Sequence, residues 1–265
     1  MFTSPGAIAL QTPYFNIYWY GIILCIAFLV ALFIVVNIAK NEYNEDKKIP
    51  DTFYDIGFWV LFGGILGARL YYVLLNPTYY LSNLKEIFMI QHGGLSIHGA
   101  VLGGIIAGII LCKRKQMNFF KYADLCALGL PIAQAIGRWG NFFNSEAFGL
   151  PTNLPWGIFI PESSRPPLYA LNEYFHPTFL YECFWNILVF LILFFVIKKL
   201  FFKCHGITFF AYLILYSLGR IIIEFIRIDS VLNIMGVSIA VWASAITIII
   251  SSIFIYFLIK KNKRK

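Results

Sequence analysis

The chain alternates long apolar runs with short polar intervals, and the runs set the first expectation. Stretches at about 17–39, 53–75, 95–112, 123–143, 178–197, 207–226 and 237–259 carry few charges. At 1.5 Å per residue their lengths suit the roughly 30 Å hydrocarbon core of a bilayer, so each predicts a membrane-spanning helix. The third is short and glycine-rich, and the fourth carries Asp124, Gln134 and Arg138, which leaves room for either to be partly re-entrant. The longest polar interval, about 144–176, is rich in proline and glycine and predicts a head region over the membrane. The expected fold is all-α: seven transmembrane helices in a single integral membrane domain, residues 1–265, with a small outer head at 144–176.

Composition removes the main competitor. Of the 265 residues 60% are hydrophobic and 13% charged, against about 25% charged in soluble chains, which excludes an ordinary cytosolic globule. The net charge of +8 could point to nucleic acid, but the positions of the charges say otherwise. Lys40, Lys47 and Lys48 follow the first run; Lys113, Arg114, Lys115 and Lys121 the third; Lys198, Lys199 and Lys203 the fifth; Lys260, Lys261, Lys263, Arg264 and Lys265 the last. The intervening loops hold only Lys85 and Arg165, so the positive-inside rule puts the N-terminus outside and the C-terminus in the cytoplasm. Met1 to Pro13 has no basic n-region, and no cleavage site follows the first run, so the N-terminus is expected to be retained. The five cysteines have no metal-like or disulfide-framework spacing, and no nucleotide motif occurs; no metal or other cofactor is expected.

Candidate chemistry lies in polar residues inside the runs, each costing about 2.5–3.5 kcal/mol on insertion unless partnered. With this topology Tyr20, Arg69, His98, Arg138, Asn141, Arg220, Glu224 and Arg227 fall in the outer halves or outer ends of their spans. Tyr216, Arg220 and Glu224 stand at i, i+4 and i+8, and Arg227 adds an i+3 step, which predicts one helical face on which Glu224 pairs with both arginines. Such a set can lock helices together. It can equally clamp a phosphate, because guanidinium binds phosphate oxygens bidentately and stays charged. Arg138, Asn141 and Asn144 form a second group beside Gly137 and Gly140; an arginine at a span end is ordinarily a snorkelling anchor, but on this side basic residues are scarce. Gly99 with Gly103, and Gly104 with Gly108, are small-residue pairs that bring helices together, and His98 heads that helix. His176-Pro177-Thr178 opens the fifth run. A lipid or small-molecule transporter with an outward-facing site for an anionic substrate is the alternative, although it predicts polar midplane features and a pseudo-repeat that the chain lacks. A non-catalytic scaffold has no need of the cluster.

Taken in order, Trp19-Tyr20-Gly21, Gly67 to Tyr72, Gly93 to Gly99, Gly137 to Gly149, His176-Pro177-Thr178 with Leu180-Tyr181-Glu182, and Tyr216 to Arg227 closely resemble the prolipoprotein diacylglyceryl transferases of bacteria. The resemblance implies an inner-membrane transferase that moves the diacylglyceryl group of phosphatidylglycerol to the lipobox cysteine of a prolipoprotein signal peptide, giving a thioether and glycerol phosphate. Its partners would be those two substrates and membrane lipids, without nucleic acid. In that reaction Arg138 and Arg220 would hold the lipid phosphate and stabilise the leaving group, Asn141 and Glu146 would orient the glycerol head, and His98 would be the base. Tyr20 and Tyr216 would touch substrate, with Arg69, Glu224 and Arg227 as support. Two positions depart from the family's pattern: Phe179 stands where glutamine is common, and Val237 to Val241 lacks the glutamine often found near the start of the last span.

Overall fold

The computed structural model describes residues 2–13, 15–43, 48–201, 203–228 and 233–263; Lys47, Arg264 and Lys265 of the basic clusters lie outside them. The helices are α1 (Trp19–Glu42), α2 (Lys48–Leu75), α3 (Pro77–Ser82), α4 (Ile97–Arg114), α5 (Phe119–Phe143), α6 (Thr178–Ile192), α7 (Lys198–Phe201), α8 (Ile207–Glu224) and α9 (Ile239–Asn262). A π-helical turn, Leu193–Ile197, joins α6 to α7. Among the described residues, six helical stretches are long and apolar enough to cross a membrane: Trp19–Glu42, Asp51–Leu75, Ile97–Arg114, Thr178–Phe201, Ile207–Glu224 and Ile239–Asn262. The remaining predicted span lies in α5, which has 25 residues but carries Lys121, Asp124, Gln134, Arg138 and Asn141 and is not among the six. Neither α4 nor α5 is interrupted; the helix of α5 continues through a buried Pro131.

The chain is mostly helical, as the apolar runs predict, and carries short strands besides. Among the described residues these strands are β1 (Phe2–Thr3), β2 (Ile8–Gln11), β3 (Asn16–Tyr18), β4 (Ile158–Phe159), β5 (Tyr174–Phe175), β6 (Asn233–Ile234) and β7 (Val237–Ser238). β1 pairs in parallel with β4, and β4 antiparallel with β5; β2–β3 and β6–β7 are antiparallel pairs. Strands of two to four residues carry no readable alternation, so their pairing follows from which segments the fold brings side by side and not from pattern.

The chain forms two compact units, residues 36–122 and residues 1–35 with 123–265. In the first, α2 packs on α4 through glycine. A Cβ on Gly63 would lie 2.6 Å from Ala107 Cβ, and one on Gly67 2.8 Å from Gly103 Cα, so the backbones meet where side chains have no room. Gly99 and Gly103 make this close approach, whereas Gly104 and Gly108 face Val60 at 3.3 and 3.6 Å.

In the second unit, α8 packs against α6 and α9. Asp124 of α5 accepts from the backbone N–H groups of Gly206 (2.6 Å) and Phe209 (2.8 Å), satisfying donors at the start of α8 that have no partner within the helix. Residues between α5 and α6 build a small apolar core from Ala147, Phe148, Ile158, Ile160 and Phe175, joined by Phe179 of α6. Leu29, Phe33, Ile246, Ile249 and Phe257 stay exposed on α1 and α9, as expected of surfaces that meet lipid.

Candidate active site

The second unit gathers ionised side chains around one carboxylate. Glu182, in the second turn of α6, pairs through Oε2 with Arg138 Nη2 of α5, and through Oε1 with Arg227 Nη1 at 2.7 Å and Arg220 Nη1 at 3.4 Å. Arg220 Nη2 also meets Glu224 Oε2 at 2.7 Å, one turn further along α8. A buried carboxylate is tolerable only when paired and hydrogen-bonded, and three guanidinium groups meet that need for Glu182. The distribution of exposure is informative: the side chains of Glu182 and Glu224 are 5% and 4% exposed, against 21% for Arg138 and 19% for Arg220. The carboxylates are spent inwards while the outer edges of two arginines stay open.

The predicted single face of α8 is corrected by this geometry. The helix ends at Glu224, the chain then turns, and Arg227 forms a β-bridge with Gly149. Arg227 therefore reaches Glu182 from beyond the helix end, where i+3 spacing no longer describes its position.

A second polar group adjoins the first. Arg138 Nη1 donates to Asn141 Oδ1 at 3.4 Å, and the amides of Asn141 and Asn144 both donate to Glu146 Oε1, at 2.9 and 3.2 Å. Glu146 sits between Ser145 and Ala147, whose φ values of +53° and +56° are in the left-handed region that costs a side-chain-bearing residue energy. The sharp reversal after α5 turns Glu146 back to the helix it has just left. The Tyr20 ring lies on Gly140, where a Cβ would overlap it, and Trp19 stacks on Phe143 at 4.9 Å. Phe179 packs against Trp139 (5.8 Å between centroids) and Phe142 (5.4 Å), so it serves here as part of the apolar core formed with Phe148 and Phe175.

Two further residues of the cluster escaped the sequence reading. Glu182 was quoted only within a motif; its signal was a lone carboxylate early in an otherwise apolar run. Ser238, just before α9, accepts from Ala240 N–H as that helix's N-cap and donates its hydroxyl proton to Glu224 Oε1. In the stretch Val237 to Val241, this serine supplies a polar link to the cluster. Near the start of α6, His176 Nδ1 and Tyr181 hydroxyl lie 3.0 Å apart, and Trp156 Nε1 donates to the same hydroxyl at 3.0 Å.

Arg69 and His98 belong to residues 36–122. Arg69 is buried, and its N–H groups go to backbone carbonyls: Ile87 (3.0 Å), Gly93, Gly94 (2.9 Å), Glu86 and Met89 (3.3 Å). Five bonds match the five donors of a guanidinium, so this arginine holds a loop and keeps none for an anion. Gly93 and Gly94, with φ of +85° and +76°, let the loop present those carbonyls. His98 is exposed in the first turn of α4, its ring 6.3 Å from that of Tyr71.

Comparison with known proteins adds an independent finding. Residues 7–257 match the family described as prolipoprotein diacylglyceryl transferase. The chain is 44% identical over 240 residues to the phosphatidylglycerol-prolipoprotein diacylglyceryl transferase of Trichormus variabilis, covering 88% of this chain and 82% of that protein. It is likewise 44% identical over 253 residues to the protein of that name from Thermotoga maritima, covering 95% and 83%, and 45% identical over 236 residues to that of Acaryochloris marina, covering 88% and 83%.

Proposed function

The chain belongs to the prolipoprotein diacylglyceryl transferase family, and we propose that its chemistry takes place on the cluster that Arg138, Arg220 and Arg227 form around Glu182. The protein is a multi-pass bacterial inner-membrane transferase that moves the diacylglyceryl group of phosphatidylglycerol to the lipobox cysteine thiol of prolipoproteins, forming a thioether and releasing glycerol phosphate. The observation that supports this placement is the asymmetry of exposure, with carboxylates inside and the edges of Arg138 and Arg220 open.

In the reaction the cysteine sulfur attacks the glyceryl carbon bonded to the phosphate oxygen. The carbon–oxygen bond breaks, its electron pair stays on that oxygen, and the thiol proton passes to a base. Arg138 and Arg220 bind the phosphate and stabilise the charge that grows on the departing phosphate monoester. Glu182 and Glu224 hold the two guanidinium planes in place; Arg227 completes the pairing of Glu182, and Ser238 that of Glu224. Asn141 and Glu146 orient the head group, Tyr20 and Tyr216 line the approach of substrate, and Arg69 supports its loop. His98 is the base, since a free thiol of pKa about 8.5 is only a few per cent thiolate at neutral pH. The head region, 144–176, and the site face the outer leaflet, the N-terminus lies outside and the C-terminus in the cytoplasm. Helix α5 is the seventh crossing, with Asp124 and Arg138 satisfied by the neighbouring helices.

The decisive experiment incubates the purified protein with phosphatidylglycerol and a lipobox peptide. The peptide should gain the diacylglyceryl mass as glycerol phosphate appears, and a cysteine-to-serine peptide should gain none. If the cysteine peptide stays unmodified, the reading fails. Substituting His98→Gln should lower turnover by about 10²- to 10⁴-fold, the usual contribution of a general base, and undiminished turnover would remove it from that role.

A further inference from the structure

One turn along α6 from Glu182, Asn186 is almost wholly buried, 2% exposed. Its Nδ2 donates to the backbone carbonyl of Glu182 at 2.7 Å, whereas its Oδ1 meets no donor among the described residues. Asn186 lines a small cavity between α6 and α8 together with Glu182, Trp185, Tyr216 and Arg220. Trp185 cannot satisfy the amide oxygen, because its indole N–H already donates to Leu215 carbonyl at 2.9 Å. A buried acceptor without a donor is destabilising and calls for a partner from outside the protein's own side chains. The cavity measures about 10 Å³, close to the least that holds one water-sized group.

We propose that this cavity is a binding site for a single hydroxyl, which donates its proton to Asn186 Oδ1 and accepts from Arg220 or Tyr216. The shape and the donor set favour an uncharged group of one oxygen, since Arg220 and Tyr216 offer donors while Asn186 offers the open acceptor. Two sources carry that chemistry: a resident water, and the head-group hydroxyl of phosphatidylglycerol. The second rests on the function proposed above, because Arg220 would hold the phosphate only a few bonds from that hydroxyl. In either case the hydroxyl joins Asn186 in the interior of α6 to a donor on α8, a role outside the ion pairs.

The test uses the full-length protein in detergent and has two arms. In the first, the structure is determined at a resolution that shows ordered water, with and without phosphatidylglycerol. An oxygen within hydrogen-bonding distance of Asn186 Oδ1 is expected in at least one state: in both for a resident water, and as part of the lipid for the head group. In the second, transfer from phosphatidylglycerol is compared with transfer from phosphatidylpropanol, whose head group lacks the hydroxyls, in the unmodified protein and in Asn186→Leu. A head-group hydroxyl predicts a discrimination of about three- to tenfold in kcat/KM that involves Asn186 and is lost in Asn186→Leu. A resident water predicts that Asn186→Leu slows both lipids equally. No oxygen at Oδ1 in either state, with the lipid ratio and both rates unchanged in Asn186→Leu, overturns the proposal. The structural arm needs no variant, so it still decides the cavity if Asn186→Leu fails to fold or if no transfer from phosphatidylglycerol is detected.

Discussion

At the scale of residues, Glu182 organises the site more than any arginine does. Its carboxylate pairs with Arg138, Arg220 and Arg227, groups that arrive from three different places in the chain. Glu182→Gln keeps the shape but removes the charge, leaving three guanidinium groups with Glu224 as the remaining carboxylate of the ion-paired set. Breaking a buried pair costs about 3–5 kcal/mol, and the partial exposure of the arginines places the expected loss at or below the low end of that range. A fall in thermal stability together with loss of transfer is the expected outcome; an unchanged melting temperature would show that the pairing stabilises nothing. Arg138→Lys preserves charge without the planar fork, and transfer should fall by about 10²-fold while the protein folds, as assayed with the lipobox peptide. Phe179→Gln should destabilise the protein by about 2–4 kcal/mol, because the amide would enter a site packed by Trp139 and Phe142; denaturant midpoints would register it.

At the scale of elements, joins between helices set the geometry. Ser238 ties the start of α9 to Glu224, and through it to Arg220. Ser238→Ala should lose about 1 kcal/mol as a cap and also reduce kcat, and Ser238→Thr, which keeps the hydroxyl, should restore both. A kcat equal to that of the unmodified protein in Ser238→Ala would confine the serine to capping. Glycine has a comparable role between α2 and α4. Gly67→Val places two methyl groups where the opposing helix backbone lies, and the expected result is poor accumulation of folded protein in the membrane, read by detergent-resistant fluorescence or proteolysis. Gly104→Ala, at a looser position against Val60, should be tolerated far better.

At the scale of the whole molecule, basic residues and apolar runs decide how the chain lies in the membrane. Single cysteines placed at Ser163 and at Lys115 in a cysteine-free background should label from opposite sides with an impermeant maleimide. Labelling of both from the same side would refute the orientation drawn from the charge clusters. The runs themselves were legible because a bilayer demands about twenty apolar residues for every crossing and leaves the backbone no alternative to a helix. Arg138, Arg220, Glu224 and Glu146 stood out for a related reason: charge beside or within such a run must be partnered.

What the sequence determined by itself was therefore the helical membrane class, the approximate positions of the long apolar helices and the resemblance carried by the motifs; the direction implied by the lysines is an expectation that the cysteine labelling tests. Tertiary structure alone decided which charges meet. Glu182 lies far from Arg138, Arg220 and Arg227 in sequence, and only the packing of α5, α6 and α8 makes it their shared partner. The position of Arg227 beyond α8, the reversal that carries Glu146 and the link from Ser238 likewise follow from where helices end, and one-dimensional spacing does not encode those endings. The short strands β1, β4 and β5 belong to the same class of fact, since two-residue pairings form only where distant segments have already been brought side by side.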